Sequence, residues 1–172
     1  MRKPNAAIGS AVFFALAPGV VAGVVPWWLT GWRVREPLLN WMPTRAVGLL
    51  LIAVGAGVLV HAFVRFVVEG AGTPAPVAPT ERLVVGGLYR YVRNPMYLAV
   101  VTTIVGQALL LGLTSLFHYA LVVAAFFVAF VLVYEEPMLS RRFGGQYDAY
   151  RRAVPGWWPR LHGWEPEETR SD

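Results

Sequence analysis

The sequence contains no cysteine among its 172 residues. This absence excludes disulfide frameworks, thiolate zinc sites and cysteine nucleophiles, and it leaves the redox compartment undetermined. The three histidines, His61, His118 and His162, are widely scattered, so the spacing of a metal site is missing as well. We therefore predict that the protein binds no metal.

Charged residues are scarce. They make up 15% of the chain, below the roughly 25% of a soluble domain, whereas 56% of the residues are hydrophobic. The net charge of +5 could indicate nucleic-acid binding, but the arginines flank hydrophobic segments, where they mark membrane topology. The composition predicts an integral membrane protein whose partner is the lipid bilayer, with no nucleic acid bound.

Four apolar segments approach the length that a membrane-spanning helix requires, about 20 residues for a hydrocarbon core about 30 Å thick. They are residues 8–29, 46–68, 96–113 and 116–134. The first exceeds the hydrophobic core of a cleaved signal peptide, and no clear small-x-small cleavage site follows it. The predicted fold is an all-α integral membrane domain over residues 1–172 with four transmembrane helices.

The third and fourth predicted spans are separated by little more than Thr114 and Ser115, so we expect a tight helical hairpin. After the fourth span, apolar residues recur at steps of three or four through residues 135–161, as in an amphipathic helix. Gly144 and Gly145 are expected to interrupt that helix. The sequence thus predicts an amphipathic helical tail.

The distribution of basic residues predicts the orientation of the spans. Twelve of the 15 Lys and Arg residues lie in the amino terminus, around the connection between spans two and three, and in the tail. The other three are Arg33, Arg35 and Arg45. Because positively charged segments remain on the cytoplasmic side, both termini are predicted to be cytoplasmic, with the protein in the cell membrane.

His61, Arg65 and Glu69 follow one another at four-residue intervals near the end of the second span, so they share one helical face. Arg65 could extend toward the membrane surface and pair with Glu69. Alternatively, the three residues could line a polar cavity, since ionisable groups at membrane depth tend to face protein interiors. Both interpretations stay open.

Three polar segments are expected to converge at one end of the hairpin. They are residues 90–97 before and at the start of span three, Glu135 and Glu136 at the end of span four, and residues 143–160 of the tail. The two ends of a helical hairpin lie side by side, so the first two segments must be close. A site at this place could admit a soluble cofactor and a lipid-borne substrate. Its position does not indicate which reaction takes place there.

The residues of these segments resemble a known family. The quoted motifs are Gly87-Leu88-Tyr89-Arg90-Tyr91-Val92-Arg93-Asn94-Pro95-Met96-Tyr97, Gly106-Gln107, Glu135-Glu136 and Phe143-Gly144-x-x-Tyr147-x-x-Tyr150-Arg151. They are similar to isoprenylcysteine carboxyl methyltransferases and phospholipid methyltransferases, over residues 74–161. Members of this family are integral membrane enzymes that use S-adenosylmethionine without a Rossmann domain. The resemblance implies methyl transfer to a lipid, prenylated or other hydrophobic acceptor at the cytoplasmic face.

The resemblance also implies roles for individual residues. The cofactor-binding residues would be Arg93, Asn94, Pro95, Tyr97, Gly106, Gln107, Glu135 and Glu136. Glu135 and Arg151 would be the catalytic residues, with Arg151 steering an anionic acceptor. Carboxylates suit the ribose hydroxyls, ammonium and sulfonium of S-adenosylmethionine. Without the resemblance, a solvated helix terminus before Pro137 is the favoured interpretation of Glu135 and Glu136.

Asn94 departs from the pattern of the prenylcysteine enzymes, which commonly have histidine within this arginine-x-proline motif. Asparagine retains hydrogen bonding but does not titrate near neutral pH. The difference puts the prenylcysteine acceptor in doubt more than it does the cofactor.

Two other function classes stay open at this level. The membrane region of sterol reductases looks similar and binds a nicotinamide cofactor, although this chain is short for that group. A non-catalytic membrane scaffold would use the same arginines and aromatic residues only to anchor helices.

Overall fold

The computed structural model describes residues 17–37, 41–70 and 82–165. Within these ranges every regular element is helical and no strand occurs. Residues 8–16 of the first predicted span and residues 71–81 of the proline-rich connection lie outside the described residues.

Six helices follow one another in the part of the chain that the structure describes. They are α1 (Ala17–Thr30), α2 (Pro43–Gly70), α3 (Pro95–Leu111), α4 (Thr114–Phe130), α5 (Glu136–Phe143) and α6 (Gly145–Ala153). A short 3₁₀ helix, Gly87–Arg90, precedes α3. A π-helical turn, Val131–Glu135, joins α4 to α5 without a break.

Two of these helical stretches are long and apolar enough to cross a membrane. They are Pro43–Arg65, of 23 residues, and Thr114–Phe143, of 30 residues. In the most apolar 18-residue segment of each helix, only 17% and 22%, respectively, is buried within the protein. Most side chains of these segments therefore face outward. The other two predicted spans correspond to the shorter apolar helices Ala17–Thr30 and Pro95–Leu111.

Helices α3 and α4 form a hairpin, connected by Gly112 and Leu113 alone. Gly112 ends α3 in the left-handed conformation, at φ 70°, and any side chain there would meet the carbonyl oxygen of Glu36. The buried residues between the two helices are all apolar: Val100, Ile104, Ala108, Leu113, Leu116, Ala120 and Val123. Packing thus aligns the start of α3 with the end of α4.

Glycines bring α2 and α3 into close contact. A Cβ atom at Gly48 would lie 2.7 Å from the carbonyl oxygen of Gly106, and one at Gly106 would lie equally close to the carbonyl oxygen of Gly48. Small residues of this kind allow the backbones of neighbouring membrane helices to approach.

The π-helical turn Val20–Val24 of α1 ends just before Pro26. The amide of Val25 bonds to the carbonyl of Val20, five residues earlier, and Pro26 has no amide hydrogen for the carbonyl of Ala22. Side chains of the hairpin satisfy the carbonyls that this arrangement frees. Gln107 Nε2 donates to Ala22 O at 2.6 Å, and Tyr119 Oη donates to Val21 O at 2.8 Å.

The same combination recurs at the end of α4, where the π-helical turn Val131–Glu135 precedes Pro137. The amide of Glu136 bonds to the carbonyl of Val131, and Pro137 takes a position in the first turn of α5. The helix therefore continues through the proline, and Glu135 and Glu136 lie at the junction rather than at a frayed terminus.

We predict that Gly48→Ala lowers the free energy of unfolding by about 1–3 kcal/mol, since its methyl group would overpack against α3. The matched control is Gly57→Ala in the same helix, where nothing lies within 4 Å of the added Cβ. Thermal unfolding in detergent measures both. Equal stability of the two variants would contradict the observed packing of α2 on α3.

Candidate functional site

Arg93 lies where the segment before α3, the end of the α4–α5 helix and the tail meet. Its Nη1 donates to Glu136 Oε1 at 2.6 Å and to the hydroxyl of Tyr147 at 3.1 Å. Its Nε donates to the carbonyl of Val154 at 2.9 Å. The three predicted polar segments are therefore in direct contact through one guanidinium group.

Glu136 is shared between two arginines. Its Oε2 lies 3.0 Å from Arg151 Nη2, on the side opposite Arg93. The Glu136 side chain is 5% exposed and that of Arg93 is 13% exposed, whereas Arg151 is 50% exposed. The buried Glu136 carboxylate is therefore bonded by two guanidinium groups, of which that of Arg151 is the one exposed to solvent.

Local structure explains these positions. Pro95 occupies the first turn of α3, where its missing amide costs no hydrogen bond, so Arg93 and Asn94 lie immediately outside the helix. In the tail, Tyr147 and Arg151 are one helical turn apart on α6 and therefore share a face. Gly144, at φ 52°, provides the break between α5 and α6 that turns this face toward Arg93.

Glu135 takes part in a second contact with α3. The hydroxyl of Tyr97 donates to Glu135 Oε2 at 2.8 Å. The ring of Tyr97 also packs on Phe127 of α4 and on Trp157 of the tail, with centroid distances of 4.6 and 6.4 Å. The two consecutive carboxylates thus have different partners. Glu136 pairs with Arg93 and Arg151, whereas Glu135 accepts a hydrogen bond from Tyr97.

Asn94 is buried at the N-cap position of α3, yet its side chain makes no capping hydrogen bond. Its Nδ2 atom finds no partner among the residues that the structure describes. Gly156 faces this place: a Cβ atom there would lie 3.1 Å from Arg93 Nη2 and 3.5 Å from Asn94 Nδ2. A buried donor without an acceptor, beside a residue without a side chain, is suited to a polar ligand.

Residues 155–165, which we call the strap, hold the tail against the segment before α3. The backbone hydrogen bonds run from Arg93 N to Pro155 O, from Arg160 N to Tyr91 O and from Trp164 N to Arg90 O, at 2.9 to 3.0 Å. Arg90 also pairs with Glu165. Neither the Val154 carbonyl nor Gly156 was predicted as part of the site, because a backbone carbonyl has the same chemistry at every residue and glycine presents no side-chain group.

Two tyrosines form the core of the contact between α6 and the segment before α3. Tyr150 donates to the carbonyl of Tyr89 at 2.7 Å. Burial raises the pKa of the Tyr147 hydroxyl, against the opposing effect of Arg93, and burial raises the pKa of Tyr150 as well. Both hydroxyls therefore stay protonated at neutral pH and remain hydrogen-bond donors.

Gly106 and Gln107, which were expected beside the cofactor, are not brought to this cluster. Gln107 follows Pro95 by 12 residues in α3, which places it about 18 Å further along the helix axis. Gly106 packs on Gly48 of α2, and Gln107 bonds to α1. Their observed contacts are between helices, and their predicted role in cofactor binding stays a prediction.

His61 and Arg65 face the 3₁₀ helix rather than the Arg93 cluster. A Cβ atom at Gly87 would lie 2.7 Å from His61 Nε2 and 3.0 Å from the Cγ of Arg65. The side chain of Glu69 lies outside the described residues, so neither interpretation of this stripe is decided. Among the described residues, no group of three His, Cys, Asp or Glu side chains could hold a metal ion.

Comparisons with known proteins bear on this arrangement. Residues 43–146 match a family model described as phospholipid methyltransferase, a range that includes Arg93, Asn94, Glu135 and Glu136 but ends before Arg151. Over 74 residues, 42% of the chain, the sequence is 38% identical to protein-S-isoprenylcysteine O-methyltransferase of Schizosaccharomyces pombe. The matched segment spans 31% of that protein. No solved structure is significantly similar to the chain.

We predict that Gln107→Leu lowers the free energy of unfolding by about 1–3 kcal/mol, because the carbonyl of Ala22 loses its observed donor. Gln146→Leu, the same substitution at an exposed position of α6, is the control and should leave stability nearly unchanged. Unfolding in detergent compares them. A neutral Gln107→Leu would show that the contact between α1 and α3 contributes little.

Proposed function

The chain belongs to the phospholipid methyltransferase family, and from this we propose that it transfers a methyl group from S-adenosylmethionine to a lipid, prenylated or other hydrophobic acceptor. The end of the helical hairpin that carries the Arg93 cluster would be the reaction site. Membership in this family favours the methyltransferase hypothesis over the nicotinamide-dependent reductase and the scaffold.

The observation that carries the proposal is the unsatisfied amide of Asn94. A buried donor without a partner costs about 1–3 kcal/mol, and a bound ligand that accepts from Asn94 would offset that cost. Gly156 allows the strap backbone to approach Arg93 and Asn94 closely, and Glu135 supplies a carboxylate that Tyr97 bonds. These residues fit a ligand that carries both hydroxyl and charged groups, as S-adenosylmethionine does.

Different residues would hold different parts of the cofactor. Asn94 would donate to an oxygen acceptor, and Glu135 would accept from hydroxyl or ammonium groups, exchanging or sharing its bond with Tyr97. Both oxygens of Glu136 are engaged by arginines, so Glu136 would position Arg93 and Arg151 rather than contact the ligand. Pro95 would contribute indirectly, because it begins α3 directly after Asn94 and so fixes the position of Asn94.

S-adenosylmethionine, when bound, supplies an activated methyl carbon. The protein then needs to orient the acceptor in line and exclude water, and no covalent intermediate is required. Arg151 is the exposed member of the cluster, so it would meet an anionic acceptor that arrives from outside. Its guanidinium remains fixed by Glu136, which limits the freedom lost when the acceptor binds.

The acceptor atom decides whether a base is necessary. A carboxylate is already nucleophilic at neutral pH, whereas an amine must first lose a proton. The Asn94 amide cannot take that proton, whereas a carboxylate such as that of Glu135 can. We therefore propose that both acceptor types be compared on the same preparation, with a labelled methyl group as the common readout.

We also propose that this end of the protein faces the cytoplasm, in the cell membrane. The described arginines at the end with Arg93 outnumber those at the opposite end, which carries Arg33, Arg35 and Arg45. The opposite end is marked by the bond from Arg35 N to Leu111 O, which joins the α1–α2 connection to the hairpin turn.

Asn94→Leu should weaken S-adenosylmethionine binding about tenfold. The variant loses one hydrogen bond to the ligand, and a loss of about 1.4 kcal/mol corresponds to a tenfold change in affinity. Calorimetry on detergent-purified protein measures the affinity. Gln146→Leu is the matched control, because it removes the same amide at an exposed position. Absence of saturable binding by a folded wild-type sample would sink the proposed function.

The proposed orientation predicts opposite labelling of two single-cysteine variants. Ser115→Cys lies in the first turn of α4 and Gln146→Cys lies in α6, both at exposed positions. In intact cells an impermeant maleimide should react with Ser115→Cys, while Gln146→Cys should react only after lysis. The cysteine-free parent chain provides the background. The reverse pattern would contradict the orientation.

A further inference from the structure

The strap is fixed at both ends yet exposes large apolar side chains in between. Backbone bonds at Pro155, Arg160 and Trp164 attach it to the segment before α3. Between and beside these attachments, Trp158 is 78% exposed and Leu161 is 92% exposed. Their exposure therefore does not result from a loose backbone. Two large apolar side chains held outward on a rigid segment indicate a surface that is covered in the membrane.

The inner side of the strap is linked to α4 by aromatic contacts. Trp157 contacts Tyr97, and Tyr97 contacts Phe127 of α4, whose neighbour Phe126 is 63% exposed. Ring contacts continue along the same helix from Phe126 to Phe130 and then to Tyr134. Since α4 is part of a candidate membrane span, these ring contacts place the inner side of the strap next to a helix whose outer surface faces lipid.

Basic residues precede the strap in the chain and complement an anionic lipid surface. Arg141, Arg142 and Arg152 of α5 and α6 are exposed, the charge of Arg151 is only partly covered, and the Glu165 carboxylate of the strap is paired with Arg90. Exposed apolar groups next to basic residues are typical of segments that lie in the interface of an anionic leaflet. A second copy of this chain would carry the same positive charge and would be repelled.

We propose that the strap is a lipid-docking surface, with Trp158 and Leu161 inserted among the headgroups of an anionic leaflet. The opposite side of the same strap presents Gly156 to Asn94 and Trp157 to Tyr97. Lipid contact on the outer side thus stabilises the position of a wall of the candidate site on the inner side. This inference does not depend on which reaction the site performs.

The cysteine-free chain allows a direct test with a fluorescent label at one position. Leu161→Cys and the control Gln146→Cys, an exposed residue of α6, are labelled with an environment-sensitive dye. Each is reconstituted as one copy per nanodisc, in phosphatidylglycerol or phosphatidylcholine with and without brominated acyl chains. Single copies exclude contacts between two chains.

Docking predicts a blue-shifted emission at Leu161→Cys that brominated lipid quenches, more strongly in phosphatidylglycerol than in phosphatidylcholine. The label at Gln146→Cys should stay unquenched. Adding Trp158→Ser to Leu161→Cys should reduce the quenching, because half of the inserted surface is lost. Emission at Leu161→Cys that matches the control in all lipids would overturn the proposal.

Discussion

The largely buried ion pair between Arg93 and Glu136 is the interaction on which the rest of this end of the protein depends. A buried guanidinium is costly unless its donors are satisfied, and here Glu136, Tyr147 and the carbonyl of Val154 satisfy Nη1 and Nε. These partners come from the α4–α5 helix, from α6 and from the residue before the strap. The Arg93 side chain therefore joins the hairpin to the tail. Its burial requires the hydrogen-bond partners from all three parts of the chain to be in place together.

Prolines next to π-helical turns determine how the long helices meet this cluster. In α1 the arrangement before Pro26 frees carbonyls that Gln107 and Tyr119 then bind, which ties α1 to the hairpin. Before Pro137 the same arrangement places two consecutive carboxylates toward different partners. In a regular helix, successive side chains point about 100° apart, so one turn of altered pitch changes which of them face the neighbouring helix.

The hydrophobic segments, the short hairpin connection and the convergence of three polar segments could be predicted from the sequence, because hydropathy and loop length determine them. The helix break at Gly144 could be predicted as well, because glycine disfavours a helix interior. The contacts of Gln107 with Ala22 and of Arg93 with Val154 could not, since a backbone carbonyl has the same chemistry at every residue. Spacing alone likewise does not show that Glu136 is enclosed by arginines while Glu135 remains available to Tyr97.

A double-mutant cycle between Arg93→Met and Glu136→Gln, followed by unfolding in detergent, tests the central role of this pair most directly. Arg93→Met leaves the buried Glu136 carboxylate with Arg151 alone, and Glu136→Gln leaves the Arg93 guanidinium without the carboxylate it bonds. Each single change should cost about 3 kcal/mol, and the double variant should cost clearly less than their sum. The more exposed pair Arg90 and Glu165, treated in the same way, should show coupling of about 0–1 kcal/mol. Additive effects of Arg93→Met and Glu136→Gln would contradict the account, because the tail would then be held independently of this ion pair.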